Sequence, residues 1–221
     1  MTRPAPIGRT LLITNDFPPR PGGIQSYLEN LVDLLPPEQI YVITGRDYLP
    51  AIASELPELP AENLIGREGE GYGIALGGLE GGRIGIAAQS VGMARSALDV
   101  AVAYANERQS FGTAIFNHQA VGFRLAECAT QIEAARQLIW HAAALRDAGR
   151  PCLKEAAMAK LFASEMAEQV CSAAMQTLGG YGYVADFPVE RIYRDVRVCQ
   201  IYEGTSDVQK ILIQRALARG E

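Results

Sequence analysis

Apolar residues recur with helical spacing over most of this chain. Val121, Leu125, Cys128, Ile132, Ala135, Ile139 and Ala142 step alternately by four and three, laying one apolar stripe along a helix predicted over residues 118–148. Met158, Phe162, Met166, Val170 and Ala173 form a second stripe over 154–178, and Gly179-Gly180 supplies the stop. An Ala-rich amphipathic segment over 73–108, broken near Gly81-Gly82, precedes them; shorter helices over 189–198 and 207–217 follow. Ser206-x-x-Gln209 has the form of a capping box for the last helix, which leaves Tyr202 to Thr205 in the loop ahead of it. Long stripes with short Gly/Pro connections are what an antiparallel helix bundle requires. The expected fold class is mainly α, with a four-helix-bundle-like C-terminal domain.

The first 58 residues follow another pattern. They hold nine of the twelve prolines, at 4, 6, 18, 19, 21, 36, 37, 50 and 57. A β-like run, Thr10 to Thr14, leads through a Pro/Gly loop to helical spacing at Ile24, Tyr27, Leu28, Leu31 and Leu35, and a second short strand is predicted over 39–44. This strand–loop–helix–strand order is the opening of an α/β unit. Two domains are expected: a short α/β fragment over 1–58 and a helical domain over 59–221. There is no internal repeat.

Composition narrows the setting. Hydrophobic residues make up 48% and charged residues 20% of the 221 positions, as in ordinary globular chains. A net charge of −5, with Lys and Arg scattered among acids, argues against nucleic acid as a ligand. Cys128, Cys152, Cys171 and Cys199 lie far apart with no CxxC, and His118 and His141 are the only histidines, so no metal site is expected. The most apolar run, 84–105, is interrupted by Gln89, Arg95 and Asp99, which disfavours a membrane span. With no signal-peptide pattern at the start, a soluble, cytoplasmic protein is expected.

Four places can carry chemistry, the first three each with a plainer alternative. Glu203, in Tyr202-Glu203-Gly204-Thr205, can serve as a general base if apolar surroundings desolvate it, or can be a solvated carboxylate favoured by a helix start. Arg108-Gln109-Ser110-Phe111-Gly112 offers a bidentate cation, a hydroxyl and a ring to a dinucleotide, or is a helix end with a terminating glycine. Gln176 to Tyr183 holds three glycines in four residues, either an exposed run of backbone N–H groups or a simple turn. Pro21-Gly22-Gly23-Ile24 can hold an anion at a helix start but lacks the full G-x-G-x-x-G spacing.

Order and spacing together are more specific. LPAENLIGREGEGYGIALGGLEGGRIGIAAQSVG, YANERQSFGTAIFNHQAVGFRLAE, KEAAMAKLFASE, QTLGGYGYVADFPVERIYRD and IYEGTSDVQ follow one another from Leu59 to Leu217 in a chain that resembles the acyl-CoA dehydrogenase family. The resemblance implies a flavin-dependent oxidoreductase of fatty acid metabolism with a C-terminal antiparallel bundle. It implies Glu203 as the base that removes the α-proton of an acyl-CoA thioester while hydride passes to N5 of FAD. It implies FAD contacts at Arg108, Ser110, Phe111, His118, Gln119, Thr205 and Asp207. Gln176, Gly179 and Gly180 match a loop that holds the FAD of a neighbouring subunit. Glu80, Arg83, Tyr202, Gly204 and Arg215 fall on the acyl-CoA side, although Glu80 stands where many relatives have Asp. The implied partners are acyl-CoA, an electron-transfer flavoprotein as acceptor, and a second copy in a homodimer or homotetramer.

The same resemblance implies a middle β-domain, of which only the last strand, about 59–65, is expected here. In its place GRTLLITNDFPPRPGGIQSYLENLVDLLP, about 8–36, resembles the start of a GT-B glycosyltransferase of the phosphatidylinositol-mannosyltransferase type. The chain is therefore expected to be chimeric or truncated, with impaired dehydrogenase activity because the flavin site has lost a wall. A non-catalytic helical oligomerisation module is the alternative, and a glycosyltransferase fragment a more distant one.

Overall fold

A computed structural model of the chain describes residues 10–13, 40–43, 66–67 and 70–220. The chain divides into two compact units, Met1–Ile65 and Gly66–Glu221. In the first, β1 (Thr10–Ile13) pairs in parallel with β2 (Ile40–Ile43), Thr10 opposite Ile40 and Ile13 opposite Ile43. Parallel neighbours need a crossover rather than a hairpin, in keeping with the α/β opening read from the sequence. The helix expected over 24–35, the Gly22-Gly23 loop and the strand expected over 59–65 lie outside the described residues.

The second unit is helical. Its elements are α1 (Gly71–Glu107), the two-residue strands β3 (Gln109–Ser110) and β4 (Thr113–Ala114), α2 (Gln119–Asp147), α3 (Leu153–Leu178), α4 (Val189–Val196) and α5 (Ser206–Ala218). The break expected at Gly81-Gly82 does not occur, because α1 runs through it. A glycine costs a helix interior only about 1 kcal/mol, which neighbouring turns outweigh. The capping box expected at Ser206 is replaced by a Thr205 cap, whose hydroxyl accepts from the Val208 N–H. Gln209 is turned inward instead. The helix expected to reach Val198 ends at Val196 and tightens into a 3-10 turn over Arg197–Gln200. Gly179 does terminate α3, at φ +62°.

Side-chain pairings orient the long helices. Arg146, near the end of α2, lies against Gly81 near the start of α1, so these two run antiparallel. Arg124 near the start of α2 reaches Thr177 at the end of α3 (3.5 Å), which makes that pair antiparallel too. Cys152 at the head of α3 meets Glu80 at the head of α1, and Tyr181 just beyond α3 meets Tyr104 near the end of α1. The arrangement is up-down-up, with α3 packed against every other helix.

The stripe read on α2 is buried from Leu125 onward: Leu125, Cys128, Ile132, Ala135, Ile139 and Ala142. On α3 the expected stripe is too narrow. Phe162 is 39% exposed, whereas Ala156, Ala157, Ala159, Ala163, Ala167, Cys171 and Ala174 are buried, because α3 is covered on several sides. Ala87, Ala94, Ala97, Ala101 and Ala105 line the facing side of α1 with no exposure. Small residues on both sides let the helix axes approach closely. No helix among the described residues is long and apolar enough to cross a membrane.

Candidate active site

Glu203 lies in the turn between the 3-10 segment and α5. It adopts φ +54°, a left-handed conformation uncommon for a side chain of this size, and Gly204 follows at +90°. Backbone contacts hold this turn. The Gln209 side-chain N–H₂ donates to the carbonyls of Glu203 (3.1 Å) and Gly204 (2.9 Å), and the Lys160 ammonium donates to the Gly204 carbonyl (2.8 Å). Both donors are fully buried.

The turn aims the Glu203 carboxylate at α1, onto Gly82, where an added Cβ would stand 2.7 Å from Cδ. Its Oε2 is buried and has no hydrogen-bond partner. Arg83, the next residue on α1, is 5% exposed, and its Nε also lacks a partner. Burial lowers the Arg83 pKa, while the charges of Glu203 and Glu80 oppose that shift. Unpartnered buried polar atoms are costly, and here an anion and a cation both leave hydrogen-bonding capacity unused in one place. Such a pair suits a polar ligand that accepts from the guanidinium and gives up a proton to the carboxylate.

Tyr202 turns the other way. Its hydroxyl donates to Gln89 on α1 (2.9 Å) and lies 3.4 Å from the Cys199 sulfur, and burial raises its pKa. Glu80 accepts a hydrogen bond from the Cys152 thiol through one carboxylate oxygen (3.0 Å). Asp207 and Arg215 are exposed in the first and last turns of α5.

A second cluster forms at the far end of α1. Gln109 and Ala114, and Ser110 and Thr113, pair across a two-residue hairpin with Phe111 (φ +49°) and Gly112 (φ +80°) at its tip. Positive φ at both central positions is what a type I′ hairpin demands. Gly112 thus makes a hairpin turn, correcting the alternative reading of it as a helix terminator. Phe111 projects into solvent, 99% exposed, with His118 edge-on to its ring at 6.2 Å. Ser110 Oγ and His118 Nε2 are 3.0 Å apart, and Gln119 is exposed beside them at the start of α2. Arg108 shares an open groove of 610 Å³ with Tyr104, Ile115 and the run Gln176 to Tyr181. A guanidinium, an amide and bare glycine backbone in one groove are a donor set suited to a phosphate-bearing dinucleotide.

Arg83 sits about a third of the way along α1 and Arg108 caps its C-terminus, roughly 37 Å away at the usual helical rise. The fold therefore gathers the expected site residues into two groups rather than one. Sequence reading misses Gly82, Lys160 and Gln209 as parts of the site. Along the chain Gly82 signals only a helix break and Gln209 only a cap partner, and nothing distinguishes Lys160 from a surface lysine.

The profile of the acyl-CoA dehydrogenase C-terminal domain matches residues 69–218. The acyl-CoA dehydrogenase of Bacillus subtilis is 51% identical over 163 residues, which are 74% of this chain and 43% of that protein. Butyryl-CoA dehydrogenase of Megasphaera elsdenii superposes with a TM-score of 0.72 at 46% identity, over 73% of this chain and 42% of its own. A chain in the structure of the electron transferring flavoprotein of Acidaminococcus fermentans superposes with a TM-score of 0.72 at 52% identity, over 73% of this chain and 43% of that one. The chain thus spans less than half the length of the relatives it matches.

Proposed function

This chain belongs to the acyl-CoA dehydrogenase family through its C-terminal domain, and from that premise we propose that Glu203 is the base of a flavin-dependent dehydrogenation of an acyl-CoA thioester. The observation that carries this reading is the buried, unpartnered Oε2 of Glu203, held on Gly82 beside Arg83. Such a carboxylate can accept the α-proton of a thioester lying over Gly82, because no protein donor competes for that oxygen. Arg83 and the Gly204 backbone stand on the substrate side, where they orient the thioester and offset developing negative charge. Tyr202, tied to Gln89, keeps the turn closed on that side.

FAD, when bound, supplies the hydride acceptor for the β-carbon. Thr205 and Asp207, at the N-terminus of α5, would contact it near Glu203. Arg108, Ser110, Phe111, His118, Gln119, Gln176, Gly179 and Gly180 would contact it at the other end of α1. The two groups are too far apart for one dinucleotide to reach both. The groove at Arg108 therefore serves the flavin of a second copy, which supports a homodimer or a homotetramer built from it. An electron-transfer flavoprotein is the proposed acceptor, a reading supported by the likeness to a chain in the Acidaminococcus fermentans structure. We read residues 1–58 as a separate α/β fragment.

The test is to purify the chain with FAD, record the flavin absorbance, and add butyryl-CoA without oxygen. Bleaching of the flavin is expected, slowed by a factor of about 10³ in Glu203→Gln. Equal rates in the two proteins would remove Glu203 from the reaction. The second reading, a non-catalytic oligomerisation module, is favoured by the exposed Phe123 and Trp140 on α2. It predicts a colourless oligomer indifferent to acyl-CoA.

A further inference from the structure

Lys160 lies on α3 with no exposure, flanked along its helix by Ala156, Ala157, Ala163 and Ser164. Burial there lowers its pKa; Cys199, Glu203 and Glu165 oppose the shift and Arg83 adds to it. A leucine or methionine would fill such a position without stripping water from a charge. The ammonium is spent on one contact, the carbonyl of Gly204 at 2.8 Å. Gln209, equally buried, reaches the same carbonyl from α5 and also that of Glu203. Two dehydrated donors from two helices thus converge on consecutive carbonyls of a turn in which both residues have positive φ.

We infer that Lys160 is a positioning residue for Glu203: by holding the Gly204 carbonyl it fixes the left-handed turn that lays the carboxylate on Gly82. The inference rests on reading Glu203 as the base. The charged and titratable groups around the pair are Arg83 from α1, Glu165 from α3, and Cys199 and Tyr202 from the segment before the turn. From α5 the facing group is the neutral Gln209.

The experiment compares steady-state turnover of butyryl-CoA by the FAD-loaded full chain with that of Lys160→Met, which keeps the side-chain length and removes the donor to Gly204. In Lys160→Met kcat should fall about tenfold with KM little changed, because a loosened turn misplaces the carboxylate without removing a group that binds the thioester. An unmoved kcat in folded Lys160→Met would overturn the inference. A fall in kcat matched by an equal weakening of KM and of FAD binding would point to structure alone and count against it. If circular dichroism shows Lys160→Met unfolded, the nitrogen-15 lysine spectrum of the unaltered chain decides. A slowly exchanging Lys160 ammonium coupled to the Gly204 carbonyl is expected, and a freely exchanging one overturns the inference. Undiminished turnover in Glu203→Gln would instead sink the base assignment while leaving the Lys160 contact with the Gly204 carbonyl standing in the nitrogen-15 spectrum.

Discussion

The Glu203 carboxylate rests on the bare backbone of Gly82, so closely that a methyl group there would stand 2.7 Å from its Cδ. Space for a base has been made by omitting a side chain from the helix opposite. Gly82→Ala should therefore displace the carboxylate and cost roughly 10²-fold in turnover, the scale of a 1 Å misplacement. Helix propensity should at the same time add up to about 1 kcal/mol of stability. The neighbouring Gly81→Ala meets only the guanidinium of Arg146, an exposed residue free to swing aside, and should leave turnover within about twofold. Steady-state rates and urea denaturation of the two variants check this contrast.

Phe111 holds a left-handed conformation at the tip of a hairpin, fully exposed. Asparagine suits that turn better, so Phe111→Asn should stabilise the chain by about 0.5 kcal/mol. If the ring packs on flavin, the same change should weaken FAD binding about tenfold. Thermal melts and FAD titration read the two effects separately, and a variant that gains stability without losing flavin affinity would exclude the ring from the cofactor site.

The cysteines make stability depend on alkaline pH. All four are buried and free. Burial pushes the Cys152 thiol, which also donates to Glu80, from 9.0 up to about 11, and the Cys171 thiol up to about 12. A group whose pKa is raised by folding stabilises fully below its unfolded pKa and loses that contribution as pH rises through the folded one. The melting temperature should thus fall as pH climbs from 9 toward 11 and 12, and less steeply in Cys152→Ala and Cys171→Ala. Thiol reagents at pH 8 should label the native chain far more slowly than the urea-unfolded chain.

Core position, more than hydrophobicity, should set the cost of truncation. Ile132, in the buried stripe of α2, is 4% exposed, so Ile132→Ala should cost about 2–4 kcal/mol. Phe162, on the stripe expected for α3, stays 39% exposed, and Phe162→Ala should cost under about 1 kcal/mol. Urea midpoints at constant slope check both.

The order of helices is legible along the chain because helical spacing is a local property. The buried α2 stripe from Leu125 to Ala142 follows the spacing residue for residue, and the ends of α2 and α3 fall within a position or two of those expected. Spacing draws the α3 stripe too narrowly because a helix covered on several sides has no single apolar face. The cap falls on Thr205, one residue before the expected one, because Gln209 is drawn inward by carbonyls of the preceding turn. The hairpin at Phe111-Gly112 leaves a cue in its glycine, which serves equally well as a helix terminator.

Glu203 is legible as a candidate from its motif and its place before a helix. Sequence alone determined its identity, its loop and the bundle to which that loop belongs. Only the tertiary structure decided what the carboxylate faces: Gly82 and Arg83 from α1, with Lys160 from α3 and Gln209 from α5 beneath its backbone. The same packing placed the Arg108 groove at the opposite end of α1. Periodicity records which face of a helix is dry, whereas the surroundings of one buried charge depend on side chains that arrive from distant segments once the helices have docked.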